Sequence, residues 1–306
     1  MVDFLRIGID CYECLLRRNL ELARQNGDNE KSIEFLKDVF RVFAEAPEGA
    51  SSPYFSPIIH GLKEQYFGAL GDPYAQDKRE SNAFMLARLD TVRERIFSAP
   101  DPMYAALQFA RLGNYLDFGA LGRTVSYEKL DSMLQAENGG TLDEAEYRHF
   151  LSDLKNAKSL LYILDNAGEI VIDRVVVELL LQQYPGLNVT VSVRGKPILN
   201  DALMEDAQLV GMDKLVPVIS SESGLGGTDL ESVGETMRNA VLGSDIVFAK
   251  GMGNFETLAG CKRNIYYLFL CKCVRFEKLF GVPHLTGMFL NELRLPFDPE
   301  KPLRED

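Results

Sequence analysis

Two acids and an amide stand where apolar runs give way to polar turns. Asp165 and Asn166 follow the run Ser159-Leu160-Leu161-Tyr162-Ile163-Leu164. Asp201 lies just beyond a second run, Asn188-Val189-Thr190-Val191-Ser192-Val193, after a link that carries Arg194-Gly195-Lys196-Pro197 and Asn200. Carboxylate and amide oxygens are hard donors that suit Mg²⁺ or Mn²⁺. Three of them can hold an octahedral cation and leave positions for water and phosphate. Asp and Asn are also the preferred N-cap residues of helices, so spacing alone serves that structural use equally well.

A third apolar run, Asp245-Ile246-Val247-Phe248-Ala249, ends in Lys250-Gly251-Met252-Gly253-Asn254-Phe255-Glu256. Gly251 and Gly253 would let backbone amides approach a ligand, the next helix N-terminus favours an anion, and Lys250 adds positive charge. No Gly-Lys-Ser/Thr follows, and no Gly-x-Gly-x-x-Gly follows the first run, so neither a P-loop nor a dinucleotide fingerprint is present. Gly224-Leu225-Gly226-Gly227-Thr228 reads as a ligand loop or a flexible connector. Cys11 and Cys14 would share a helix face, and Cys271 and Cys273 a strand face. If the two elements meet, four thiolates could form a second metal or redox cluster; burial as small apolar residues is the simpler use. His60, His149 and His284 are scattered and read as solvated or structural. Gly113-Asn114-Tyr115-Leu116-Asp117 reads either as a helix C-cap or as a loop reaching over the sheet edge.

The elements that must position these residues change character along the chain. Up to about residue 157 the pattern is helical. One helix should begin at Asp10 as cap with Glu13 three residues on, and run to Gly27. Others are expected over Lys31–Glu45, Ser56–Tyr66 and Gln76–Phe97, from Pro102 to Gly113, and from Asp143 to Asn156, with loops at Gly71-Asp72-Pro73-Tyr74 and Gly139-Gly140. From 158 to 306 strands and helices alternate. Strands are expected over 159–165, 188–193, 215–219, 245–250 and 265–271, with helices over 168–184, 202–209, 229–242 and 255–262. That order implies a mostly parallel sheet covered on both faces, with its site at the carboxyl ends of the strands. The segment from Pro296 to Asp306 reads as a loose tail.

Bulk properties set the limits. The 306 residues are 46% hydrophobic and 25% charged, ordinary for a globular chain, with a net charge of −12. Such acidity argues against nucleic acid as a partner, but not against a small phosphorylated metabolite, because a bound divalent cation inverts the local field. No apolar stretch reaches the length of a membrane span, and Met1-Val2-Asp3-Phe4-Leu5-Arg6 does not resemble a leader. Five cysteines in a chain of this size point to a reducing cytoplasm rather than a disulfide scaffold.

Taken in order, these motifs resemble the DUF89 family of damage-control phosphatases, and within it the stand-alone cysteine-containing group of archaea and bacteria. The resemblance rests on Cys11-Tyr12-Glu13-Cys14-Leu15-Leu16-Arg17, Asp72-Pro73-Tyr74, Gly113-Asn114 with Asp117, and Asp165-Asn166-Ala167-Gly168-Glu169. It continues through Arg194-Gly195-Lys196-Pro197 with Asn200-Asp201-Ala202, the Lys250–Glu256 segment, and Lys272-Cys273. It implies a three-layer α/β/α core with an N-terminal helical subdomain, and a phosphatase dependent on Mn²⁺, Mg²⁺, Co²⁺ or Ni²⁺. It further implies Asp165, Asn166 and Asp201 as metal ligands, with Asp165, Asp201 and Lys250 central to catalysis. Glu169, Arg194, Asn200, Lys250, Gly251 and Asn254 would contact phosphate or substrate, and Gly113, Asn114 and Asp117 would line the site from the helical side. Met252 and the 220–228 loop depart from the family pattern. Water or a carboxylate such as Asp165 could attack phosphorus; a carboxylate that also binds a cation is the poorer nucleophile, which favours water. The rival readings are a non-catalytic module that holds a nucleotide or metabolite phosphate, and a carboxyl methyltransferase using S-adenosylmethionine.

Overall fold

A computed structural model of the chain describes residues 7–68, 71–121, 125–136 and 140–295. The first six residues, Gly139 and the expected tail from Pro296 lie outside the described residues. The amino-terminal half forms α1 (Ile9–Gln25), α2 (Asn29–Ala44), α3 (Phe55–Phe67), α4 (Ala75–Leu86), α5 (Leu89–Ser98), α6 (Pro102–Gly113), α7 (Phe118–Leu121), α8 (Tyr127–Gln135) and α9 (Glu144–Asn156). Helix α1 starts earlier than its sequence signal: Gly8 is the cap position, and Asp10 lies in the first turn, where Oδ2 accepts from Lys278 Nζ at 2.9 Å. The single helix expected over Gln76–Phe97 is two. At the break, Arg88 turns back: Nη1 donates to Phe84 O at 3.1 Å, Nε donates to Asp131 Oδ1 at 2.5 Å, and the guanidinium lies 3.6 Å from the Phe84 ring centroid. Helices α7 and α8 were not expected; each is short, so its periodicity is weak.

The second half forms β1 (Ser159–Ile163), α10 (Glu169–Gln183), β2 (Asn188–Val193), α11 (Met204–Leu209), β3 (Val218–Ser220), α12 (Glu235–Gly243), β4 (Ile246–Lys250), α13 (Met252–Leu258), β5 (Ile265–Leu270), α14 (Val274–Phe280) and β6 (Gly287–Asn291). The sheet order is β3-β2-β1-β4-β5-β6. Strands β1 to β5 pair in parallel, and β6 pairs antiparallel with β5 at the edge. Neither β6 nor α14 was read from the sequence, since both are short pieces close to the polar end. The strands wind outward from β1 through β2 to β3, then return to the other side of β1 with β4 and β5. The crevice between β1 and β4 is therefore the topological switch point, where doubly wound sheets bind ligands.

Side chains alternate across the sheet. Leu160, Tyr162, Ile246 and Phe248 enter one core with α6, α9 and α10, while Leu161, Ile163, Val247 and Ala249 enter the other with α12, α13 and α14. Burial on both faces explains why the strands read as unbroken apolar runs. Helices α1 to α3 hold two small clusters of their own, one around Phe35 and Val39 and one around Phe55 and Ile59. Phe150 of α9 is fully buried and ties the helical half to the sheet, with ring centroids 5.4 Å from Phe248, 4.9 Å from Tyr266 and 5.9 Å from Phe289. Truncation by Phe150→Ala should cost about 3–5 kcal/mol, read as a lower urea midpoint with an unchanged slope.

Candidate functional site

Backbone hydrogen bonds bring the tips of β1 and β2 together. Ala202 N donates to Asp165 O at 2.7 Å, Ala167 N to Asn200 O at 2.9 Å, and Arg194 N to Ala202 O at 3.0 Å. Asn166 and Asp201 thereby face each other across an isolated antiparallel bridge. Neither Asp165 nor Asp201 caps a helix: the cap positions are Gly168 for α10 and Leu203 for α11. Gly168 has φ +80°, and a Cβ there would meet Leu116 Cδ1 at 2.6 Å, so the turn accepts little but glycine. Its N–H donates to Asn82 Oδ1 at 2.7 Å, and Asn82 Nδ2 donates to Asp206 Oδ1 at 2.7 Å, which docks α4 on the turn.

Three oxygens at these tips lack donors among the described residues. Asp165 Oδ2 accepts from Asn114 Nδ2 at 3.0 Å and Asn166 Nδ2 at 2.7 Å, whereas nothing donates to Oδ1 within hydrogen-bond distance. Asp201 Oδ2 accepts from Arg194 Nε at 2.6 Å, and its Oδ1 is unused. Asn166 Nδ2 also donates to Glu169 Oε2 at 2.9 Å; two carboxylate acceptors fix the amide orientation and leave its Oδ1 without a donor. None of the three is a sealed, unpaired atom.

The charges around them do not balance. Five carboxylates (Asp117, Asp165, Glu169, Asp173 and Asp201) share three buried cations, Arg194, Lys250 and Lys272, through pairs at 2.6–3.9 Å. Carboxylates thus outnumber the buried cations paired with them here. Burial, then Asp201, Glu169 and Asp117, push the Asp165 carboxyl well above its usual range, with Lys272 opposing. Burial pushes Asp201 up to about 6 although Arg194 pulls it down. Acids repelled in this way, with free oxygens, fit a hard cation. Among the described residues no three His, Cys, Asp or Glu side chains form a ligand group; the donor set here is two carboxylates and an amide.

Behind the tips lies a fully buried ion cluster. Lys250 Nζ donates to Glu169 Oε1 at 2.6 Å, Asp173 Oδ1 at 2.8 Å and Ala110 O at 3.0 Å. All three ammonium donors are used, so Lys250 does not reach the opening as its sequence position suggested. It lies two residues after Phe248 and so faces the α6–α10 side. Burial works against its charge, but Asp173 and Glu169 outweigh burial and hold its pKa above the usual lysine value. Glu169 in turn accepts from Asn114 Nδ2 at 2.9 Å. Gly113 allows this approach, since a Cβ there would lie 3.3 Å from Glu169 Cα. Lys272 Nζ donates to Asn114 O at 2.7 Å and pairs with Asp117 Oδ2 at 2.6 Å.

Arg194, Asn200 and Asn254 are committed to protein contacts. Besides Asp201, Arg194 donates through Nη1 to Gly227 O at 2.8 Å, and Nη1 and Nη2 each stand 3.3 Å from Asn254 Oδ1; Nη2 is 3.9 Å from Asp165 Oδ1. Asn254 Nδ2 donates to Lys250 O at 2.7 Å. Asn200 clips the helical half to the sheet, donating to Leu116 O at 2.7 Å and accepting from Phe118 N at 3.0 Å. Gly251, at φ +81°, uses its missing side chain against Asp165, whose Oδ2 would lie 2.0 Å from a Cβ there. Gly253 likewise packs on Gly226 O. The glycines after β4 therefore serve close packing rather than an open anion cradle. Met252 Sδ accepts from Lys272 N at 3.3 Å.

The cysteine cluster read from the sequence does not assemble into a metal cage among the described residues. All five thiols are free. The elements do meet, since Arg275 Nη1 lies 3.6 Å from Cys11 Sγ. Burial pushes Cys271 and Cys273 up to about 11, which keeps them protonated at neutral pH, whereas a soft metal needs thiolate. His60, His149 and His284 pair with Glu64, Glu146 and Glu277, outside the site. Sequence reasoning missed Asp173, Asn82 and the bonds of Lys272. The signal for Asp173 was an acid inside an apolar helix, four residues after Glu169; for Lys272 it was a charge directly after a fully apolar strand.

A doubly wound sheet with hard oxygen donors at its switch point, closed from one side by a helical half, defines a class of α/β enzyme scaffold. The chain matches the model of the damage-control phosphatase ARMT1-like domain over residues 8–286, and it belongs to that family. It is 33% identical to the uncharacterized protein MJ0202 of Methanocaldococcus jannaschii, over 92% of this chain and 93% of that one. It is 28% identical to the damage-control phosphatase of Archaeoglobus fulgidus, over 91% and 96% of the two chains. The crystal structure of a DUF89 family protein, PH1575 of Pyrococcus horikoshii, superposes with a TM-score of 0.78 at 24% identity, covering 94% of this chain and 99% of that one, and shares the fold.

Removing Lys250 should expose the cost of its cluster. Lys250→Met leaves Glu169 and Asp173 buried without a counterion, and should lower stability by about 3–5 kcal/mol at pH 7. The loss should shrink at pH 5, where Asp173, held at about 6, takes up a proton. Urea unfolding at both pH values checks this.

Proposed function

We propose that the protein is a divalent-metal-dependent phosphatase that hydrolyses phosphomonoesters of small metabolites, working in the cytoplasm. The observation that carries the reading is the trio of donor-free oxygens on Asp165, Asn166 and Asp201, set beside Arg194 at the switch point. Family membership and the names of the Archaeoglobus and Pyrococcus relatives support it. These three residues would hold Mn²⁺, Mg²⁺, Co²⁺ or Ni²⁺, which when bound supplies Lewis-acid neutralisation of the phosphoryl oxygens.

The chain's own residues do the rest. Arg194 is held rigid by Asp201, Gly227 and Asn254, and its Nη2 is the part of the guanidinium that points toward Asp165. It can donate to a phosphoryl oxygen there as charge develops. Glu169 and Asn114 act as positioning residues, holding the Asp165 and Asn166 side chains in one arrangement, and Lys250 holds Glu169. With Asp165 Oδ2 accepting two hydrogen bonds and Oδ1 assigned to the cation, neither oxygen is left to attack, so water attacks phosphorus and loses a proton to solvent, and the substrate alkoxide leaves with a proton from solvent. Two readings fare worse. A phosphate-holding module would use the glycines after β4, which are packed on protein. A methyltransferase would need a cofactor cleft after β1, where Asp165 and Asn166 instead close on residues 200–202.

Asp165→Asn and Asp201→Asn should each lower metal-dependent turnover of p-nitrophenyl phosphate by about 100-fold or more, with the far-ultraviolet circular dichroism unchanged. Full activity in either variant refutes the reading. Because a ligating carboxylate must be ionised, affinity for Mn²⁺ should fall as pH drops through about 6, where Asp201 gains its proton, and the raised Asp165 carboxyl should add to that fall. Calorimetric titration between pH 5 and 8 reads this directly.

A further inference from the structure

The buried face of α4 is polar where a packed helix face is ordinarily apolar. Lys78, Ser81, Asn82 and Met85 occupy it at the spacing of one helix face, and three of the four carry polar side chains. Buried polar groups need partners, and here the partners lie on the two turns that carry the proposed metal ligands. Asn82 Oδ1 accepts from Gly168 N at 2.7 Å, and Asn82 Nδ2 donates to Asp206 Oδ1 at 2.7 Å. A backbone donor on one side and a carboxylate on the other fix the amide in one orientation. Ser81 braces the contact, since a Cβ at Gly168 would lie 2.8 Å from Ser81 Cβ.

Gly168 stands two residues after Asn166, in the turn from β1 to α10. Asp206 Oδ2 accepts from Leu203 N at 2.8 Å, and Leu203 stands two residues after Asp201, in the link from β2 to α11. Leu203 also follows Ala202, whose N–H donates to Asp165 O at 2.7 Å. Asn82 and Asp206 therefore close a second bridge between the ligand-bearing turns, made of side chains and supplied in part by the helical half. Lys78 holds its acid end: Nζ is 3.4 Å from Asp206 Oδ2 and 3.0 Å from Asp72 Oδ2, with the Lys78 and Asp206 side chains 3% and 6% exposed. Asp72 Oδ1 accepts from Tyr74 N at 3.0 Å, so the Asp72-Pro73-Tyr74 segment serves as an anchor for this lysine.

We propose that Asn82 and Asp206 are positioning residues for the cation cage, which set the separation of Asn166 from Asp201 from outside the site and thereby set the affinity for the ion. A second tie beyond the ligands restrains tilting of one turn against the other, so the outward oxygens are already placed when the ion arrives. The proposal rests on the cage reading above.

Calorimetric titration with Mn²⁺ tests this and needs no turnover. Asn82→Asp sets two carboxylates against each other, and Asp206→Asn leaves one amide facing two donors. Each should weaken Mn²⁺ binding by about tenfold or more. Combining the two restores the connection with its direction reversed: the carboxylate at 82 accepts from Gly168 N and from the amide at 206, whose oxygen accepts from Leu203 N. The double variant should return to within severalfold of the wild-type affinity. Phe150→Ala, which loses stability through ring contacts on β4, β5 and β6, should leave the affinity unchanged and so separates positioning from general stability. Wild-type affinity in the single variants, a double variant as weak as the singles, or an equal loss in Phe150→Ala overturns the proposal. If Asn82→Asp does not fold, Asp206→Asn and the double variant carry the same comparison. A wild type that binds no Mn²⁺ overturns the cage and this proposal together. Mn²⁺ binding without turnover of any phosphomonoester removes the phosphatase reading alone, and the affinities still decide the role of the bridge.

Discussion

The structure depends on one short backbone ladder. Three hydrogen bonds, from Ala202 to Asp165, from Ala167 to Asn200 and from Arg194 to Ala202, hold two acidic strand tips against each other. Burial raises the pKa of both acids, and Coulomb repulsion adds to it, from Asp201 and Glu169 at Asp165 and from Asp117 and Glu169 at Asp201. The sheet overcomes the repulsion because β1 and β2 are buried on both faces and paired along their length. The repulsion is confined to the one place where a cation can relieve it.

Charge compensation is divided among three buried cations. Lys250 is spent on Glu169 and Asp173, Lys272 on Asp117 and Asn114, and Arg194 on Asp201. Buried ion pairs of this kind contribute little net stability, but each fixes a direction. Lys250 fixes Glu169, Glu169 fixes Asn114 and Asn166, and these fix the outward oxygens. The helical half takes part directly, since Asn114 and Asn82 bond to the sheet-end turn and Asn200 bonds back to Leu116 and Phe118. Glycine at 113, 168 and 251 is what lets three backbones meet this closely.

Much of this was legible in the sequence because the signals were local. An apolar run that ends in Asp165-Asn166 marks both a buried strand and its polar tip, and the order of runs gives the parallel sheet. Side-chain direction was less legible. Lys250 reads as a cation at a ligand turn, yet strand parity with Phe248 sends it into the core. Asn200 and Asn254 read as substrate contacts, yet their amides are used up on backbone and Arg194. Elements set by distant packing were missed: α14 and β6 are short and owe their form to Phe276, Met288 and Phe289 in the two cores. The break between α4 and α5 depends on where Arg88 finds Asp131, which no local pattern records.

The central claim is that the paired tips form a cage for one hard cation. The most direct measurement is the anomalous scattering of crystals grown with Mn²⁺. The account predicts one strong peak in contact with Oδ1 of Asp165, Asn166 and Asp201, at about 2.0–2.6 Å, with Arg194 still bonded to Asp201 Oδ2. Crystals that show those three oxygens bonded only to water, or the manganese bound elsewhere, would contradict it.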